Sequence, residues 1–138
     1  MSGAPAPPSF RMRVLSTVQR FNPDGSPAST SPEFDYSGAS GLDQARDGAS
    51  AVTAQANGQA VVGGGHFLNT SVFGLARVNP DGTLDSAFGT GGTLTTTFNG
   101  DESVGAVVTQ PDGKIIAVGF SENNSTGHIF IALARYNP

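Results

Sequence analysis

One phrase is written three times along this chain, and its recurrence limits the accessible folds more than any other property. Arg20-Phe21-Asn22-Pro23-Asp24-Gly25 returns as Arg77-Val78-Asn79-Pro80-Asp81-Gly82 and again as Arg135-Tyr136-Asn137-Pro138, at intervals of 57 and 58 residues. A second phrase runs out of step with the first: Gln55-Ala56-Asn57-Gly58-Gln59 matches Gln110-Pro111-Asp112-Gly113-Lys114, 55 residues later. Self-similarity at a fixed period of this size marks a repeat architecture, in which one unit cannot bury its own apolar face and must stack on a neighbour.

The chemistry between the repeats is that of strands and tight turns. Nineteen glycines and nine prolines punctuate short apolar runs, and no window holds a helical period, so the expected fold class is all-β and antiparallel. The best hairpin pairs Val104–Thr109 with Lys114–Gly119 through the turn Gln110-Pro111-Asp112-Gly113. Proline presets φ at the second turn position, Asp accepts local N–H groups and Gly takes the left-handed conformation. The same hairpin is expected at Ala49–Ala54 and Ala60–Gly64 around Asn57-Gly58. A third strand then ends in each arginine, Val72–Arg77 and Ile129–Arg135. Large side chains (Phe73, Leu75; Ile131, Leu133) alternate there with small ones (Gly74, Ala76; Ala132, Ala134), which sorts them onto opposite faces. The fourth strand is expected at Thr93–Phe98, with a weaker counterpart near Pro32–Tyr36. The first copy is degenerate at Met12–Gln19, as terminal repeats often are.

These residues resemble the delta-60 repeat, a bacterial family. The resemblance is carried by Ala106–Gly119, Ala132–Pro138, Leu75–Gly82 and Leu84-Asp85-Ser86-Ala87-Phe88-Gly89-Thr90-Gly91-Gly92. It implies four-stranded antiparallel units arranged as β-propeller-like blades, about two blades plus one strand in this chain. Residues 1–10 form a Pro-rich extended arm, and 11–138 form the repeat domain, with junctions near 25, 82 and 138. Two blades do not close a propeller. The chain is therefore expected to be a piece of a larger surface propeller, an open stack, or a subunit of a ring, for which three copies with six blades are favoured.

Chemistry is sparse. The net charge of −4, with basic residues scattered, argues against nucleic acid. No run of apolar residues suits membrane insertion, and the N-terminus lacks the apolar core of a signal peptide. Without cysteine there is no disulfide, thiolate zinc site or cysteine nucleophile. His66 and His128 stand at unequal distances from their arginines, Asp24, Asp81 and Asp112 are lone turn aspartates, and no nucleophile has a base beside it. No cofactor, metal site or enzymatic activity is expected. Asp101-Glu102 reads as a solvated loop.

The residues singled out are therefore mostly structural: Arg20, Asn22, Pro23, Asp24, Gly25, Arg77, Asn79, Pro80, Asp81, Gly82, Pro111, Asp112, Gly113, Arg135, Asn137 and Pro138, with each arginine tied to its corner. Binding is expected in the loops that differ between copies, Gly65–Ser71 and Ser121–Gly127. Those carry His66, Phe67 and Asn69 in one, and Glu122, Asn123, Asn124 and His128 at or beside the other. The leading functional expectation is a non-enzymatic structural or interaction protein, a self-assembling unit displayed on a cell surface or virus particle with other proteins of an assembly. The other is a lectin-like module that binds a glycan. Against that stand the absence of tryptophan and the unequal placement of Phe67 and Phe120.

Overall fold

Four turns of one kind set the strand boundaries. At Asn22–Ser26, Gln55–Gln59, Asn79–Thr83 and Gln110–Lys114 the first residue's N–H donates to the fifth residue's carbonyl at 2.7–2.8 Å. The fourth residue's N–H returns to the first carbonyl at 2.9–3.0 Å. The fourth residue is always glycine, Gly25, Gly58, Gly82 or Gly113, at φ of 82–93°. A type I turn closed by a left-handed residue is the geometry that Pro-Asp-Gly and Ala-Asn-Gly favour.

The computed structural model of the chain describes residues 15–34, 36, 46–67 and 71–138. They form nine strands: β1 (Gln19–Phe21), β2 (Pro27–Thr30), β3 (Arg46–Ala54), β4 (Ala60–Phe67), β5 (Ser71–Val78), β6 (Thr93–Thr96), β7 (Asp101–Thr109), β8 (Ile115–Asn123) and β9 (His128–Tyr136). All pair antiparallel, as β1-β2, β3-β4-β5-β6 and β7-β8-β9, and no helix occurs among the described residues. The all-β class and its antiparallel repeats are as the sequence indicates. The Pro-rich arm and the first three residues of the Met12–Gln19 segment lie outside the described residues.

The two larger sheets are copies. Val61 faces Arg77 across the β4–β5 ladder, and Ile116 faces Arg135 across β8–β9. Both inner hairpins carry a register shift at the same place, between Ala49 and Ala51 and between Val104 and Ala106. The first copy departs most. Its β1 runs through the turn straight into β2, and Phe34 is left with a single bridge to Ser16. The weak strand expected at Pro32–Tyr36 is thus reduced to that bridge.

The β3–β6 sheet lies between the other two units. On one side Val61, Phe73 and Leu75 pack against Val104, Val107 and Ile115 of the last sheet. On the other, Val62, Ala76 and Val78 pack against Phe34 and Tyr36. Small residues make the second contact close. A Cβ on Gly74 would lie 2.4 Å from the Tyr36 ring, and one on Gly63 would lie 2.5 Å from Val107 on the opposite side. The sorting of large and small side chains along β5 therefore serves two neighbours at once. Along β9 it serves one: Ala132 is buried against the central sheet while Ile131 and Leu133 are exposed.

Candidate functional site

The repeated arginines have three different fates. Arg20 reaches the next sheet's turn, its Nη2 donating to the Gly58 carbonyl at 2.7 Å. Arg77 folds back onto the connection that follows its own turn. There its Nε donates to the Asp85 carboxylate at 2.7 Å and its guanidinium lies 4.7 Å from the centre of the Phe88 ring. Gln59 adds bonds to Asp85 at 2.8 Å and to Asn79 at 2.9 Å. Burial pushes the Asp85 carboxyl up, but the Ala87 N–H, Gln59 and Arg77 together outweigh it and hold the group below the usual carboxylate range. Arg135 is exposed and makes no such contact with any described residue. The contact that Arg77 makes with Asp85 and Phe88 is therefore not repeated at Arg135 among the described residues.

The turn aspartates are occupied locally. Asp24 takes the hydroxyl and N–H of Ser26, and Asp81 takes the N–H and hydroxyl of Thr83. Asp112 takes the Lys114 ammonium and N–H. Each is lowered from its ordinary pKa by those bonds, Asp24 chiefly through the Ser26 hydroxyl and Asp81 through the Thr83 N–H. For Asp112 the Lys114 side chain contributes most. These carboxylates stabilise turns and leave little capacity for a ligand. Among the described residues, no group of three His, Asp or Glu side chains could hold a metal ion.

The structure redraws the variable loops. The strands run through Phe67 and Asn123, so His66 and Phe67 sit on β4, Glu122 and Asn123 on β8, and His128 on β9. The side chains of His66 and Phe67, and all of Asn69, lie outside the described residues. At the β8–β9 tip, Asn123 accepts the N–H groups of Ser125 and Thr126 at 3.0 Å, and Asn124 is exposed beside it. His128 meets Phe130 edge to face at 6.3 Å. The Asn123 amide is committed to shaping its turn.

Glu102 was not foreseen. Far from being solvated, it is wholly buried, and its Oε1 accepts the N–H groups of Phe98 at 2.7 Å and Gly100 at 2.8 Å. It fastens the β6–β7 connection, where Asn99 holds a left-handed φ of 69°. Nearby, the Asp101 carboxylate accepts the Ser71 N–H at 2.8 Å and ties the last two sheets together. A shallow cleft of about 380 Å³ lies between Thr17–Gln19 and Ala49–Val52. Its polar groups are engaged: Thr17 bonds Ser31, Gln19 bonds Ser29, and the Ser50 hydroxyl donates to the Val104 carbonyl.

The surface that stands out is the outer face of the β7–β9 sheet. Val108, Phe120, Ile129, Ile131 and Leu133 line it, with Ile131 86% and Leu133 60% exposed. In the central sheet the matching residues Phe73 and Leu75 are 0% and 1% exposed, covered by β7. The face is framed by charge, with Arg135 in the row of Val108 and Ile116 and Glu122 in the row of Asp101 and Ile129. Contiguous apolar surface with a polar frame is a mark of an interaction site.

A family model described as a domain of unknown function (DUF5122) beta-propeller matches residues 55–88 and 110–138. Both stretches start at the Gln of an inner hairpin turn and continue through the outer arginine phrase. The similarity supports a β-propeller-type repeat. Comparison with curated proteins gives no match.

Proposed function

We propose that this chain is a non-enzymatic structural and interaction protein, a propeller-like repeat unit that assembles with copies of itself through the outer face of the β7–β9 sheet. One observation carries the reading: Ile131 and Leu133 stand in solvent at positions whose repeat equivalents, Phe73 and Leu75, are buried beneath another sheet. Covering five large apolar side chains would return on the order of 10 kcal/mol before costs. Association itself costs about 4–15 kcal/mol, so a single contact is close to balance. A closed ring, in which every copy uses two contacts, is more stable than an open pair. At the far end of the stack β1 and β2 expose Phe21, which offers a head-to-tail counterpart. Three copies are the favoured count, and a cell surface or virus particle is the favoured setting.

Light scattering tests the reading. The expected mass is three times that of the chain, reduced to one by Ile131→Asp or Leu133→Asp with the β-sheet circular dichroism unchanged. A monomer at every concentration tested would overturn it.

A further inference from the structure

Three stretches of the chain read Asn-x-Ser or Asn-x-Thr: Asn69-Thr70-Ser71, Asn123-Asn124-Ser125 and Asn124-Ser125-Thr126. Each falls where β4 gives way to β5 or β8 to β9. This is the acceptor pattern for N-linked glycosylation, a modification of surface loops. So short a pattern also arises by chance, and local geometry has to decide which copy can serve.

The geometry separates the three. Ser71, which completes the first, is buried, and its N–H is held by Asp101 at 2.8 Å. Asn123 is half-buried at the end of β8, opposite His128. Its Oδ1 accepts the N–H groups of Ser125 and Thr126, both at 3.0 Å, so the amide is fixed by the turn it closes. Its backbone carbonyl takes the Gly127 N–H at 2.7 Å, and Gly127 holds a left-handed φ of 69°. The turn is therefore built without the Asn124 side chain. Asn124 is exposed and makes no hydrogen bond among the described residues. Ser125 and Thr126 are exposed beside it. The Thr126 hydroxyl accepts the His128 N–H at 3.4 Å and keeps its own proton to donate.

We propose that Asn124 is an attachment site for an N-linked glycan. Its Nδ2 attacks the anomeric carbon of an oligosaccharide carried on a lipid pyrophosphate. A C–N bond forms as the C–O bond to the pyrophosphate breaks. The pyrophosphate leaves as the anion, and the amide gives up one proton to a base of the transferase. Residues 124–127 are all exposed, so bulk added at this tip displaces no buried contact. The inference is independent of assembly through the β7–β9 face.

The test is to secrete the full chain, behind a cleavable export signal, from cells that carry an N-linked oligosaccharide transferase. Trypsin cuts after Lys114 and Arg135, and fragmentation of the Ile115–Arg135 glycopeptide distinguishes Asn123 from Asn124. One glycan on Asn124 is expected. Thr126→Ala breaks only the Asn124 motif and should abolish it, whereas Ser125→Ala breaks only the Asn123 motif and should leave it. Both sites are exposed, so both variants should keep the β-sheet circular dichroism. An unmodified Asn124, a glycan on Asn123 in its place, or a glycan on Asn124 that survives Thr126→Ala would overturn the proposal.

Discussion

Asp85 and Glu102 show how much one carboxylate can organise in a chain this poor in charge. Asp85 holds a guanidinium that is only 8% exposed. Removing one partner of a buried pair leaves the other uncompensated, so Asp85→Ala should cost about 3 kcal/mol in urea unfolding. Its folded pKa lies below the ordinary 3.8. The stability it supplies is therefore complete above the unfolded pKa and is lost as pH falls through the folded one. Unfolding free energy should drop on acidification below about pH 4, and Asp85→Asn should flatten part of that slope. The turn aspartates Asp24, Asp81 and Asp112 are shifted the same way and act in the same direction. Glu102→Ala strips the acceptor from two N–H groups at the β6–β7 connection and should cost about 3 kcal/mol. Glu102→Gln, which keeps an acceptor oxygen, should cost less.

At the scale of the element, the strand that ends in Arg-x-Asn-Pro behaves according to its neighbours. β5 is covered on both faces and both edges, and β9 on one of each. Gly74→Ala should destabilise by about 1–3 kcal/mol, since the new methyl meets the Tyr36 ring and neither sheet can retreat without opening a core. In hydrogen exchange, the Leu75 and Arg77 amides should be protected and the Leu133 and Arg135 amides should exchange much faster. Equal protection of the two pairs would show that the β9 edge is occupied in solution. The turns, both inner hairpins and the alternation along β5 and β9 were legible in the sequence because each is set by local chemistry repeated at a fixed interval. The fate of each arginine was not. Arg77 and Arg135 sit in near-identical phrases, and what separates them is Asp85, eight residues beyond the first. Glu102 was hidden for a similar reason, since the N–H groups that donate to it, of Phe98 and Gly100, lie in an irregular connection that no periodic pattern describes. The loops were drawn too wide because Gly, His, Asn and Ser suggest turns, whereas ladder pairing carries β4 and β8 three residues into them.

Among the described residues the sheets stack in a row, the central one packed on a neighbour at each side. In such arrays stability is close to a sum of unit and interface terms. The last sheet, with one interface, should open before the central one, which has two. Its Leu133→Asp variant should keep its melting temperature within a few degrees while losing any higher mass, because that residue contributes to association and little to the folded chain. The exposed face and the open edge lie at the same end of the row. The opposite end finishes in a hairpin whose polar side chains are bonded among themselves, Gln19 to Ser29 and Thr17 to Ser31. Among the described residues the two ends therefore present unlike surfaces, so a contact between copies joins one end to the other and leaves the same pair of ends on the product. Whether growth stops depends on the angle that each added copy turns through. An angle that divides a full circle gives a small ring, and any other gives a fibre of unlimited length built on the same contact.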